Sequence, residues 1–201
     1  MGIKERRQRQ RQQLREGILS AAREIASVEG WQAVTIRKIA GRIEYSPPVI
    51  YEHFESKDEI FLELMRMGYA GQLEAVEAAA SAASDPEEAL LEMGHAWMDF
   101  AFRSPDLYQV MYGLGGVPFS AAETRKEGEK IAVPMVKAIE EILRKDGRKV
   151  QDLEGKVTLL WATAHGLVAL TMVGRIPGGQ EEARSLAEQT IRDYLTAWRT
   201  A

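Results

Sequence analysis

No cysteine occurs in the chain, which removes disulfides, thiol nucleophiles and thiolate metal sites together and fits a reducing cytoplasm, where the protein is expected to work. Histidine is scarce as well. His53, His95 and His165 are the three present, no two at metal-ligand spacing, so neither a metal nor another cofactor is expected. No glycine-rich phosphate loop follows a strand, and there is no nucleophile motif and no catalytic carboxylate pair. No catalytic residue is therefore expected, and the chain does not read as an enzyme. Sustained β alternation between hairpin turns is missing too. Residues 157–173 are nearly all apolar, but Thr158, Thr163, His165, Gly166 and Thr171 interrupt them. That stretch is at the short end for crossing a bilayer and reads as a helix sandwiched inside protein, so no membrane partner is expected. The start, Met1 to Gln13, is basic and glutamine-rich with no apolar core, unlike a signal peptide.

What is present is helical periodicity and an uneven charge. The net charge of −4 divides into +4 over residues 1–57 and −8 over the remainder, which suggests that one end meets a polyanion. Leu14, Ile18, Ala21, Ala22 and Ile25 form a helical stripe that ends at Gly30. Thr35 is a good N-cap for a helix burying Ile36, Ile39, Ala40 and Ile43. Ser46 caps again, with Pro47 and Pro48 in the first turn, where a missing N–H costs nothing. That short helix ends near Phe54, and Ser56 caps the next. Further helices are predicted from Asp85–Pro86 to about Arg103, from Ser104–Pro105 through Tyr112, and from about Ser120 to Lys145 with Pro134 inside. The last two run over Asp152–Gly174 and from beyond Gly179 to Trp198. A glycine-rich loop is expected over Gly113–Pro118.

The fold class expected is all-α. A three-helix helix-turn-helix domain should occupy 1–55, and a larger helical domain 56–201. The second helix of the pair must bury Ile50 and Phe54, which leaves Ser46, Pro47, Val49, Tyr51 and His53 to meet a partner among Arg37, Lys38, Arg42 and Lys57.

Thr35, Ile39, Ala40, Ser46, Tyr51, His53, Phe54 and Lys57 resemble, in type and spacing, the signature of the tetracycline-repressor family. The resemblance implies a second helix that enters the major groove of a palindromic operator, with Thr35, Tyr51, His53 and Lys57 on phosphates. Hydroxyls, a helix N-terminus and a lysine suit that role. The full candidate DNA-contact set is Thr35, Arg37, Lys38, Tyr45, Ser46, Pro47, Pro48, Val49, Tyr51, His53 and Lys57. The chain departs from the family pattern at the turn. Ile43, Glu44 and Tyr45 stand where small residues and a glycine are usual, so Glu44 is expected in a left-handed conformation. Pro47, Pro48 and Val49 offer no donors to bases but suit thymine methyl groups. Arg6, Arg7, Arg9, Arg11 and Arg15 read equally as a minor-groove arm and as a solvated tail or helix face.

The same resemblance implies a C-terminal homodimer interface and a ligand cavity. Candidate cavity residues are Trp97, Met98, Phe102, Met111, Tyr112, Phe119, Trp161 and His165, a lining suited to a mostly apolar small-molecule effector. Trp161, His165 and Gly166 also resemble the Trp-x-x-x-His-Gly motif of one C-terminal subgroup. Residues 152–174 are apolar on too many sides for one core. One stripe (Leu160, Ala164, Leu167, Thr171) is assigned to a two-fold mate, with the seam of Leu186, Thr190, Ile191, Tyr194, Leu195 and Trp198 as its companion. The leading expectation is a repressor released by its effector. Two others stay open: a helical dimeric module with impaired DNA binding, and a small-molecule enzyme.

Overall fold

The computed structural model describes residues 2–114, 116–117, 119, 121–147 and 152–200, with the side chains of 121 and 122 left aside. Gly115, Pro118 and Ser120, expected in the glycine-rich loop and at the following helix start, lie outside the described residues. Helices and turns, and no strand, occur among the described residues. The helices are α1 (Ile3–Glu29), α2 (Ile36–Arg42), α3 (Pro47–Tyr51), α4 (Lys57–Ala82), α5 (Pro86–Arg103), α6 (Pro105–Met111), α7 (Ala121–Lys145), α8 (Leu153–Met172) and α9 (Gly179–Thr200). They divide into two compact units: residues 1–68 with 105–124, and residues 69–104 with 125–201. This differs from the division expected at 55/56. The first half of α4 and all of α6 belong with the helix-turn-helix, because α6 packs on α1.

The first unit is built on the stripe of α1. Ile18, Ala21, Ala22 and Ile25 are buried at steps of three and one, and Gly30, at φ +81°, ends the helix with its N–H on the Ala26 carbonyl at 2.9 Å. The chain then folds Trp31 into the core, edge-on to Phe61 at 5.3 Å. Gly68 of α4 lies so close to α6 that a Cβ there would collide with the Met111 Sδ.

In the second unit, Asp85 caps α5 by accepting from the Glu87 and Glu88 N–H groups at 2.8 and 3.0 Å, with Pro86 in the first turn. α9 packs on α8 and α5. Its Ala183, Ala187, Ile191 and Leu195 are buried, and Gly94 of α5 leaves room for the Ile191 Cδ1. Arg199 ties three element ends together, donating to Glu87 and to Asp146, each at 2.7 Å. The α7 helix runs through Pro134.

Candidate nucleic-acid interface

The helix pair is held by local chemistry that the sequence specifies. Thr35 is extended, and its Oγ1 accepts the Lys38 N–H at 3.2 Å, which caps α2. Ile39 and Ala40 are buried, whereas Ile36 and Ile43, expected inside, are half-buried on this short helix. The turn is a Schellman closure. The Tyr45 N–H reaches back to the Ala40 carbonyl at 2.9 Å and the Glu44 N–H to Gly41 at 3.4 Å, with Glu44 at φ +61° where glycine is the usual residue. Ser46 is the N-cap of α3 by backbone geometry, but its hydroxyl makes no cap bond, which leaves that oxygen available.

One face of α3 is spent on the core: Ile50 and, just past the helix, Phe54 are buried. The other face is open. Tyr51 is 54% exposed and Tyr45, at the turn, 50%, a large aromatic surface. Pro48 is exposed, and Pro47 and Val49 are half-buried at its edge. Lys57 opens α4 with its Nζ 5.1 Å from the Phe61 ring, while Ser56 and Glu59 form a capping pair around that helix start. The cations differ in availability. Lys38 is paired with Glu29 at 2.5 Å and Arg42 with Glu24 at 3.4 Å, so each must exchange an acid for a phosphate. Arg37 is exposed and has no ion pair among the described residues.

α1 also touches the end of α3, a role the sequence did not assign to its arginines. Arg15 donates to the His53 carbonyl at 2.9 Å, stacks over the Phe54 ring at 4.1 Å and lies 3.5 Å from Glu63. Arg11 reaches the Glu52 carbonyl at 3.4 Å. The two arginines sit four residues apart, which is the spacing that could have revealed a shared face. Burial first, then the Arg11 guanidinium, hold the His53 imidazole below its ordinary pKa; Arg15 adds to this and Glu52 opposes it.

The ligand and dimer assignments fare differently. Trp97 and Met98 are buried in the second unit, where Phe102 lies 5.7 Å from the Arg184 guanidinium. Met111 is buried in the first unit, with Tyr112 4.7 Å from the Tyr108 ring and Phe119 half-buried. Trp161, expected inside a cavity, is 43% exposed and stacks on His165 at 5.5 Å. Burial alone lowers the His165 pKa. The face of α8 assigned to a mate is partly covered by this chain. Leu160 is buried with Val157 and Val168, and Ala164, Leu167 and Thr171 are half-buried; α9 and α5 pack on this helix. Ile191 and Leu195 of α9 are spent in the same core. Leu186 is exposed, and Thr190, Tyr194 and Trp198 are half-buried. The outward apolar face of α8 is Leu159, Ala162, Leu170 and, just past the helix, Val173.

Two family models match. One, described as bacterial regulatory proteins of the tetR family, covers residues 18–64; the other, described as the tetracyclin repressor-like C-terminal domain, covers residues 90–194, more than half of the chain. The transcriptional repressor NicS of Pseudomonas putida is 29% identical over 52% of this chain and 50% of its own. The transcriptional activator FasR of Mycolicibacterium smegmatis is 28% identical over 51% of this chain and 47% of its own. The chain thus spans about half the length of the curated relatives it matches. In fold it is similar to the TetR family regulator PfmR of Thermus thermophilus, with a TM-score of 0.70 and 19% identity over 89% of this chain and 97% of that one. No described helix is long and apolar enough to cross a membrane.

Proposed function

Because the chain belongs to the tetracycline-repressor family, we propose that it is a DNA-binding transcription regulator, a repressor that holds a palindromic operator as a homodimer and is released by a small, mostly apolar effector. The observation that carries this reading is the open face of α3. Ser46, with an uncommitted hydroxyl, and the exposed Tyr45 and Tyr51 share it with carbon-only Pro47, Pro48 and Val49. Hydroxyls and helix N-termini suit phosphates, whereas proline and valine suit thymine methyl groups. Thr35, Tyr51, His53 and Lys57 would place the helix on the backbone, and Pro47 and Val49 would read bases. A dimer doubles these contacts over two half-sites.

Release requires an effector that binds one of two states more tightly. Trp97, Met98, Phe102 and His165 are the proposed lining in the second unit. Since Trp97 and Met98 are closely packed, ligand entry would part them. Such a regulator works in the cytoplasm, beside its DNA. Footprinting on the intergenic duplex next to its gene tests the reading: a protected, two-fold symmetric site overlapping the promoter is the expected result. A symmetric site upstream of the promoter, with raised transcription, would make it an activator. Absence of any protected site would leave a helical dimeric module without DNA binding.

A further inference from the structure

We propose that the first turns of α1 carry a second, sequence-independent contact to the sugar–phosphate backbone, made by Lys4, Arg7 and Arg11 next to His53. This rests on the DNA-binding reading. Residues 2–13 are all exposed, yet the helix begins at Ile3, so these turns are not held by burial. Their electrostatics work against them. Glu5 caps the helix start by accepting the Gly2 N–H at 2.9 Å, but Lys4, Arg6, Arg7, Arg9 and Arg11 outnumber it near an N-terminus where the macrodipole favours acids, and Arg7, Arg11 and Arg15 are like charges at successive steps of four. A nearby polyanion turns both unfavourable terms into favourable ones. Lys4, Arg6 and Arg7 have no partner of their own among the described residues.

The position of these turns selects the polyanion. Arg15 and Arg11 dock on the carbonyls of His53 and Glu52, which fixes the register of α1 against the end of the reading helix. Between them lies an open groove of about 920 Å³, walled by Gln10, Arg11 and Leu14 on one side and by Tyr45, Glu52 and His53 on the other. Arg7 stands one turn beyond Arg11 on the same face, and Lys4 nearly another. The stripe is roughly 10 Å long at the helical rise of about 1.5 Å per residue. One strand of duplex DNA carries a charge about every 3.4 Å along its axis but winds around that axis as it rises, so a stripe that follows the strand meets about two phosphates. A strand held by His53 continues along it. Because the segment is a helix and not an extended arm, it touches backbone and reads no minor-groove edges.

The test compares Lys4→Gln/Arg7→Gln with Lys126→Gln/Lys137→Gln, a pair of exposed α7 cations that changes the net charge equally. Binding to a random-sequence duplex and to the intergenic duplex is followed by fluorescence anisotropy from roughly 50 to 200 mM salt. The expected result is a log–log salt slope shallower by roughly 0.9 per lost contact for the α1 pair, with several-fold weaker binding to both duplexes, and no change for the α7 pair. Equal slopes for the wild type and the α1 variant overturn the inference while leaving the DNA-binding reading intact. Equal losses from both pairs overturn it as well, since they report overall charge and not a contact. A wild-type chain that binds neither duplex overturns the reading itself.

Discussion

The Arg23 guanidinium of α1 forks onto the Asp106 carboxylate of α6, Nε to Oδ2 at 2.5 Å and Nη2 to Oδ1 at 3.2 Å, and the carbonyl of the same Asp106 accepts the Trp31 indole N–H at 3.1 Å. One residue at the start of α6 thus holds both α1 and the turn after it. The Asp106 side chain is only 9% exposed, whereas Arg23 keeps a third of its surface in water. A bidentate pair with one buried partner lies between the surface and interior cases. Asp106→Asn should therefore cost about 1–3 kcal/mol, a fall in Tm of roughly 2–4 °C per kcal/mol for a chain of this size. In a double-mutant cycle with Arg23→Met the two losses should not add; full additivity would show that the fork contributes nothing.

The backbone at Glu44 gives a prediction of opposite sign. A left-handed residue with a Cβ is disfavoured by about 1–2 kcal/mol, and glycine returns about 0.5–1 of this through its freer unfolded chain. Glu44→Gly should raise Tm by a few degrees, while Glu44→Ala, which keeps the Cβ, should not. Thermal melts of the two variants check this. A drop with glycine would mean that the Glu44 side chain makes a stabilising contact.

Much of this first unit is legible in the sequence, because its signals are local. Caps at Thr35 and Ser56, prolines in the first turn of α3 and the buried stripe of α1 each depend on a few neighbouring residues, and each appears as expected. The left-handed turn was legible for the same reason. What was not legible depends on distant partners. Asp106 meets Arg23 across 83 positions, so nothing near α6 signals that it belongs with the first unit. On α8 the difficulty has another cause. A helix apolar on all sides has no periodicity to say which face turns inward, and the choice of Leu160 over Leu159 for the outside could not be made from spacing. Among the proposed DNA contacts, the availability of Arg37 and the pairing of Lys38 rest on which acids α1 happens to present.

His53 should give DNA binding a pH dependence. Its pKa in the free protein lies below the ordinary histidine value, by burial first and Arg11 second. For folding, the sign is that of a depressed group: the contribution is complete above the unfolded value of about 6.5 and is lost as pH falls through the folded value. For binding, the sign reverses. A phosphate beside the imidazole favours the charged form, so the pKa rises on association and the complex takes up a proton. Affinity should increase as pH falls from about 7.5 through the histidine range and level off below the free-protein value. His53→Gln should flatten the curve. Anisotropy titrations at several pH values, with melts at each to confirm folding, decide it. An identical pH profile in the variant removes His53 from the phosphate contact.

A second apolar face of α8 is open to a mate besides the stripe of Leu160, Ala164, Leu167 and Thr171. Leu159 is 50%, Leu170 45% and Val173 69% exposed, and Leu186 of α9 adds a further 41%-exposed leucine. Isolated exposed leucines are ordinary, but Leu159 and Leu170 at helical spacing on α8, with Val173 just past its end, form a face that water solvates poorly. A second copy of the chain is the proposed cover. A carboxylate at Leu170 costs little in a monomer, since the site is already wet, but in an interface it is buried without a partner. Leu170→Glu should therefore remain folded, with helix content and Tm close to those of the isolated subunit, and elute as a monomer in size-exclusion chromatography with light scattering. It should lose operator affinity steeply, because only one half-site can be held. Leu160→Glu is the contrast. That side chain is packed against this chain's own helices, so the charge should unfold the second unit and not merely separate subunits. If Leu170→Glu stays dimeric while a charge at Leu186 gives monomers, the contact is centred on α9; if neither changes the mass of a wild-type dimer, it is made by a different surface.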